Sequence, residues 1–166
     1  MTAKLTPELI DKLLSVDSPT VSNAIETFQI RSRREGYMGP QIQCRFPDLG
    51  PVVGYVTTGT IVEYDEKYPP DPKERFKWIE SIANSPKPVI CVIKDTCHRK
   101  GWSSHWGEIL GTQVQVLGAV GIITDGAVRD LEALHKMGMK VWSEHVVVSH
   151  GHIDLGLANI PVEVGG

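Results

Sequence analysis

Three cysteines among 166 residues are too few, and odd in number, for a disulfide framework, which points to a reducing compartment. No apolar run approaches the ~20 residues that a bilayer-spanning helix requires; the longest, such as Val89 to Ile93, are strand-sized. Positive charge is not in excess either. Seventeen basic residues face twenty acidic ones, a formal net charge of −3, so no chain-wide field exists to hold a phosphate backbone, and nucleic acid is excluded as the default partner. G-x-G-x-x-G, G-K-[ST] and G-x-S-x-G are all missing, so dinucleotide, P-loop and serine-hydrolase chemistries have no starting point. The opening MTAKLTPELIDKLL mixes acids among its apolar positions without a small-residue cleavage site. These absences together lead us to expect a cytoplasmic protein without a membrane association.

What is present is ordinary globular composition: 41% hydrophobic and 22% charged residues, with 16 Gly and 11 Pro marking many turns. The length suits one domain over residues 1–166. Thr6-Pro7 and Ser18-Pro19 each start a short helix by capping residue and proline. Residues 36–50 have no periodicity and read as an irregular connection, and Val52 to Val62 as one strand interrupted by Gly54 and Gly59. Asp71-Pro72 opens a third helix with Phe76, Ile79 and Ala83 on its buried face. Val89 to Ile93 is apolar on both faces, the mark of a covered parallel strand, with Cys91 in the core.

A helix over Trp106 to Leu117 and a strand ending at Thr124-Asp125-Gly126 follow, then a helix carrying Val128, Leu131 and Leu134 on one side. Further strands are expected at Lys140 to Trp142, His145 to Ser149 and Pro161 to Val164. Alternating strands and helices between residues 88 and 142 call for an α/β sheet, with the earlier strands forming a second layer. Ligands gather beyond the carboxyl ends of such strands, two of which carry Asp95 and Asp125.

The stretch richest in chemistry runs from Trp106-Gly107-Glu108-Ile109-Leu110 to Asp125-Gly126-Ala127-Val128-Arg129-Asp130. Twenty residues separate Glu108 from Arg129, the length of one helix and one buried strand, so the fold can return Arg129-Asp130 to Glu108. A guanidinium grips a planar carboxylate through two parallel hydrogen bonds, which suits a 2-oxo acid. An adjacent carboxylate can hold Mg²⁺, which keeps most of its waters and polarises a keto oxygen. Backbone N–H groups where the helix begins at Gly107 add anion-binding capacity. The plainer reading makes Arg129 and Asp130 the exposed first turn of a helix, with Glu108 on a solvated face.

At these residues the chain resembles the class II 4-hydroxy-4-methyl-2-oxoglutarate aldolases, grouped with the regulator of ribonuclease activity A (RraA) and proteins once labelled demethylmenaquinone methyltransferases. The resemblance rests on an acid, twenty residues, then Arg-Asp, and on the surrounding GEIL and GIITDGAVRD. It extends more weakly through Ser18 to Ala24 and Val53 to Thr58. It implies a swivelling β/β/α-type α/β domain in a homotrimer or homohexamer. It further implies retro-aldol cleavage of a 4-hydroxy-2-oxo dicarboxylic acid to pyruvate and a second oxo acid, with oxaloacetate decarboxylation through the same enolate.

By position, Arg129 would bind the pyruvyl carboxylate and keto oxygen, Asp130 would ligate Mg²⁺ or Mn²⁺, and Glu108 would act through a metal-bound water. Backbone amides at Gly107, Ile109 and Leu110 would receive the carboxylate. The alternative within the same resemblance is a non-catalytic regulator that binds a ribonuclease or helicase. Two departures stand out. The loop from Thr96 to Ser104 lacks the family's glycine-rich form, which implies altered substrate choice. Nothing after Val162 to Gly166 matches the family's further β-rich segment with its Pro-Gly-Asp turn, which implies either a shortened form or a fragment, without any site residue that a neighbour would contribute from that segment.

Four other groups carry weaker expectations. Cys97-His98 lacks a second ligand pair at zinc-like spacing, and His150-Gly151-His152 reads as a polar loop. Trp102 and Trp106 flank the expected cleft, where packing or subunit contact outweighs a substrate-covering role. Arg31, Arg33 and Arg34 read as a solvated basic face.

Overall fold

A computed structural model describes residues 4–166. Two short helices come first, α1 (Pro7–Leu14) and α2 (Ser18–Thr27). Thr6 Oγ1 caps the first by accepting from Leu9 N–H, and an Asp17 carboxylate oxygen caps the second by accepting from Thr20 N–H. Neither helix buries a residue. The remaining elements are β1 (Gln43–Cys44), β2 (Tyr55–Glu63), α3 (Pro72–Asn84), β3 (Val89–Asp95), β4 (Ser104–Trp106), α4 (Glu108–Val116), β5 (Ala119–Val128), α5 (Leu131–Lys136), β6 (Lys140–Val146) and β7 (Ile153–Ala158).

All seven strands belong to one sheet, in the order β1-β6-β5-β3-β2-β7, with β4 paired to β5 off that path. The four central strands β6, β5, β3 and β2 run parallel, and β1 and β7 close the edges antiparallel. The expected α/β class holds. The expected second layer does not, because β2 pairs with the whole of β3, from Tyr55 opposite Val89 to Ile61 opposite Asp95.

Where β3 leaves β5, after Ile93 opposite Thr124, β4 takes over the pairing at Ala127 and Val128. This hand-over carries β5 two residues past the expected end at Gly126, so Val128 lies in the strand and not in the helix after it. The strands expected at Lys140 to Trp142 and His145 to Ser149 are largely one strand, β6, and Pro161 to Val164 is not a strand. The antiparallel edge is Ile153–Ala158 instead, whose mixed polar and glycine content masks any alternation.

The core lies between sheet and helices. Trp78 of α3 meets Trp106 of β4 edge to face, with ring centroids 5.7 Å apart, and Ile82, Ile93, Ile122, Val114 and Leu134 pack with them. Burying each aliphatic side chain contributes about 1.5–3 kcal/mol. Cys91 is fully buried there, as expected, and its thiol is pushed up to about 12 by burial. Gly111 lets α4 approach α5, since a Cβ at that position would stand 2.6 Å from Leu134 Cδ2.

Candidate functional site

Extending β5 with β4 has a direct effect on the charged residues. The Arg129 N–H donates to the carbonyl of Trp106 at 2.9 Å, so the chain leaving β5 runs alongside the chain entering α4. Gly107, the residue before α4, thereby faces Arg129 and Asp130. A Cβ there would lie 2.5 Å from Asp130 Oδ2 and 3.1 Å from Arg129 Nε, so only glycine lets the two segments meet this closely. Asp130 itself takes the left-handed conformation, φ 53° and ψ 41°, which Asp and Asn tolerate better than other side chains. It precedes α5 and is not in the first turn, as the plainer reading had it.

One carboxylate oxygen of Asp130, Oδ2, accepts from Glu108 N–H at 3.1 Å and lies 3.6 Å from Arg129 Nε. It thus occupies the amino end of α4, where an anion is favoured by the helix dipole. No hydrogen bond engages Oδ1. Glu108 joins this cluster through its backbone, while its carboxylate is exposed at the start of α4. Mg²⁺ is satisfied by one or two carboxylates and several waters, so the partly exposed Asp130 carboxylate, with Glu108 exposed at the start of α4, fits its donor chemistry. No group of three or more His, Cys, Asp or Glu side chains suited to a metal occurs among the described residues.

Arg129, Gly107, Ile109 and Leu110 open onto a cavity of about 730 Å³ between α3, α4 and β7. Most of its wall is apolar, with Ile79 from α3, Leu117 after α4 and Leu155 from β7. Two polar residues that sequence reasoning missed share it, Arg75 and His105. Strand alternation holds the signal for His105: Ser104 and Trp106 are buried on one side of β4, which directs His105 and Gly107 to the other. Burial pushes the His105 imidazole down to about 4, opposed by nearby Asp154 and reinforced by Arg75. Its Nε2 is closed off from solvent and has no hydrogen-bond partner.

The two acids at strand ends behave differently from Asp130. Asp125 Oδ1 accepts from Asp95 N–H at 2.7 Å, and its Oδ2 lies 3.5 Å from Lys94 Nζ and 3.4 Å from Lys100 Nζ. Asp95 in turn accepts from the backbone N–H groups of Cys97 and Gly101. Both are buried and fasten the loop after β3 to the sheet. Neither lines the Arg129 cavity.

Of the two tryptophans, Trp106 is core, and Trp102 is exposed under the Arg99 guanidinium at 4.9 Å, bordering a separate hollow of about 340 Å³ with Cys97 and His152. Neither flanks the Arg129 cavity. The Cys97 thiol is pushed up to about 12, chiefly by burial and then by Asp95, which disfavours its thiolate. Arg33 pairs with Glu26 on the surface.

The family described as RraA-like, Aldolase/RraA, matches residues 6–166. Among solved structures, RraAS2 of Streptomyces coelicolor, described as an unusual member of the RNase ES inhibitor RraA protein family, superposes with a TM-score of 0.70 at 19% identity, over 98% of this chain and 77% of its own. A structure from gut-associated microbes, described under novel cellulases, gives 0.77 at 16% identity, over 99% and 72%. The RNA-processing inhibitor RraA from Thermus thermophilis gives 0.51 at 13% identity, over 91% and 84%. At these identities the likeness is one of fold. No helix among the described residues is long and apolar enough to cross a membrane.

Proposed function

This chain belongs to the RraA-like family of aldolases and RraA proteins, and from that premise we propose that it is a divalent-metal-dependent lyase. Its reaction is retro-aldol cleavage of a 4-hydroxy-2-oxo dicarboxylic acid to pyruvate and a second oxo acid, with oxaloacetate decarboxylation as a related activity. The observation that carries this reading is the Gly107–Arg129–Asp130 junction at a cavity of small-ligand size.

Cleavage requires a proton to leave the C4 hydroxyl as the C3–C4 bond breaks. The electron pair of that bond passes through C3 to the C2 keto oxygen, and C3 later takes a proton to give pyruvate. Arg129, on the cavity wall, is the group whose positive charge meets the charge developing on that oxygen. Its planar fork also fits the neighbouring carboxylate. The N–H groups of Ile109 and Leu110, in the first turn of α4, have no intrahelical partners and add to carboxylate binding.

Asp130 would hold Mg²⁺ or Mn²⁺, with Glu108 acting on its water, and the ion would polarise the keto group. Asp130 Oδ2, 3.6 Å from Arg129 Nε, also orients that guanidinium. Exposed Phe76, Ile109 and Val116 around the cavity support a homo-oligomer in which a neighbour covers its mouth.

A coupled assay of pyruvate release with Mg²⁺ tests the reading on the wild type, Arg129→Ala and Asp130→Asn. We expect turnover in the wild type alone, its loss with EDTA and its return with added Mg²⁺. Equal background rates in all three proteins would remove the lyase. The descriptions of the RraA relatives support a second reading, an inhibitor that binds a ribonuclease. It predicts no turnover and retention of a ribonuclease on the immobilised protein.

A further inference from the structure

The cavity that receives Arg129 has a second cation on its wall. Arg75 and Arg129 are the charged side chains lining it, and their paired acids, Asp154 and Asp130, are not part of that lining. A ligand inside therefore meets two guanidiniums, set in walls of Ile79, Leu117 and Leu155 that exclude water and strengthen charge recognition.

The pairing of Arg75 leaves it capacity. Its Nε donates to Asp154 Oδ1 at 3.2 Å, its Nη2 reaches the same oxygen, and Leu155 N–H donates there as well at 2.7 Å. Three donors thus converge on one acceptor oxygen. Nη1 is not engaged in this pairing, and a guanidinium offers five N–H groups. Beside it, the His105 ring also lines the cavity. The ring is neutral at pH 7, with one nitrogen free to donate and the other to accept.

We propose that Arg75 and His105 form a second carboxylate subsite in the Arg129 cavity, so that the preferred ligand is a 2-oxo acid with another carboxylate at its far end. The proposal rests on the Arg129 reading above and adds the group that recognises the distal end. One carboxylate lies against Arg129, the carbon chain against the aliphatic wall, and the second carboxylate against Arg75, beside the His105 ring. Arg75 acts as a specificity residue and takes no part in bond breaking.

Isothermal titration in the presence of Mg²⁺ with 2-oxoglutarate, a dianion, and 2-oxobutanoate, a monoanion sharing its oxo-acid head, tests the subsite. The wild type should bind 2-oxoglutarate about tenfold or more tightly than 2-oxobutanoate, the value of one charge-assisted contact. Arg75→Gln should erase that preference and leave 2-oxobutanoate binding unchanged. Asp154→Asn breaks the same ion pair but keeps the guanidinium, so it should retain the preference.

Equal affinity of the wild type for the two acids overturns the subsite and leaves the Arg129 reading standing. So does an Asp154→Asn protein that loses the preference as fully as Arg75→Gln, since the pair would then be structural. Binding of neither acid overturns both. The wild-type comparison and Asp154→Asn decide the matter even where Arg75→Gln fails to fold.

Discussion

β5 delivers two acid–base clusters within six residues of each other, and they are built to opposite rules. Around Asp125 both carboxylate oxygens are occupied, one by a backbone N–H and the other by two lysines, and the side chain is 6% exposed. Around Asp130 one oxygen is shared between a helix N–H and Arg129, the other has no hydrogen bond, and the side chain is 37% exposed. A saturated buried charge fixes a fold, because every group it touches would be stranded by its loss. A half-satisfied charge next to a cavity-lining guanidinium retains the capacity to bind something else. The comparison teaches that an acid at the end of a strand is not by itself a site, and that unspent bonding capacity is the better guide.

The sharpest way to break the comparison is to neutralise each acid in turn. Asp130→Asn should lower kcat/KM for pyruvate release on the order of 10³-fold, about 4 kcal/mol, with a nearly unchanged melting temperature. Asp125→Asn should show the reverse, about 2–3 kcal/mol less stability by urea unfolding and near-normal specific activity in the folded fraction. Two variants that behaved alike would abolish the distinction.

Acid titration of stability sharpens it next. His105 titrates near 6.5 when unfolded and is held down to about 4 when folded, so below pH 6.5 the unfolded chain takes up a proton that the native one refuses. Stability contributed above pH 6.5 is therefore lost as pH falls toward 4, by up to roughly 3 kcal/mol. Melting curves of His105→Gln should show that acid slope flattened.

A smaller effect comes from Gly107→Ala, whose methyl group would intrude on Asp130 and Arg129. Activity should fall about 10- to 100-fold, with a stability change near 1 kcal/mol, because the crowding is local to the junction. The smallest belongs to the exposed Glu132–Lys136 pair on α5: Glu132→Gln should change stability by less than about 0.5 kcal/mol and leave activity intact.

Much of this arrangement is legible in the chain because local rules and tertiary demands coincide. The Pro-started helices and the apolar run Val89 to Ile93 of β3 are cases where capping and burial speak through adjacent residues. The spacing from Glu108 to Arg129 also reads correctly, since a helix and a parallel strand have fixed lengths. What escapes notice depends on partners distant in sequence. β7 has no clean alternation and exists as an edge on β2, and β4 is a three-residue strand drawn out of a polar loop by the end of β5 that β3 leaves unpaired. Arg75 and His105 go unrecognised for the same reason, being brought to the cavity by α3 and β4, whose positions no local pattern announces. Asp95 and Asp125 mislead because strand-end position is visible in sequence and saturation is not.

The left-handed backbone at Asp130 bears on how the protein should be scanned. An alanine there removes the carboxylate and also penalises the turn that delivers it, so lost activity and lost folding arrive superimposed. Asparagine keeps the turn and deletes only the charge. In a saturation library, position 130 should therefore accept Asn and Gly by abundance while rejecting both by turnover, a signature distinct from that of any residue in the strand before it.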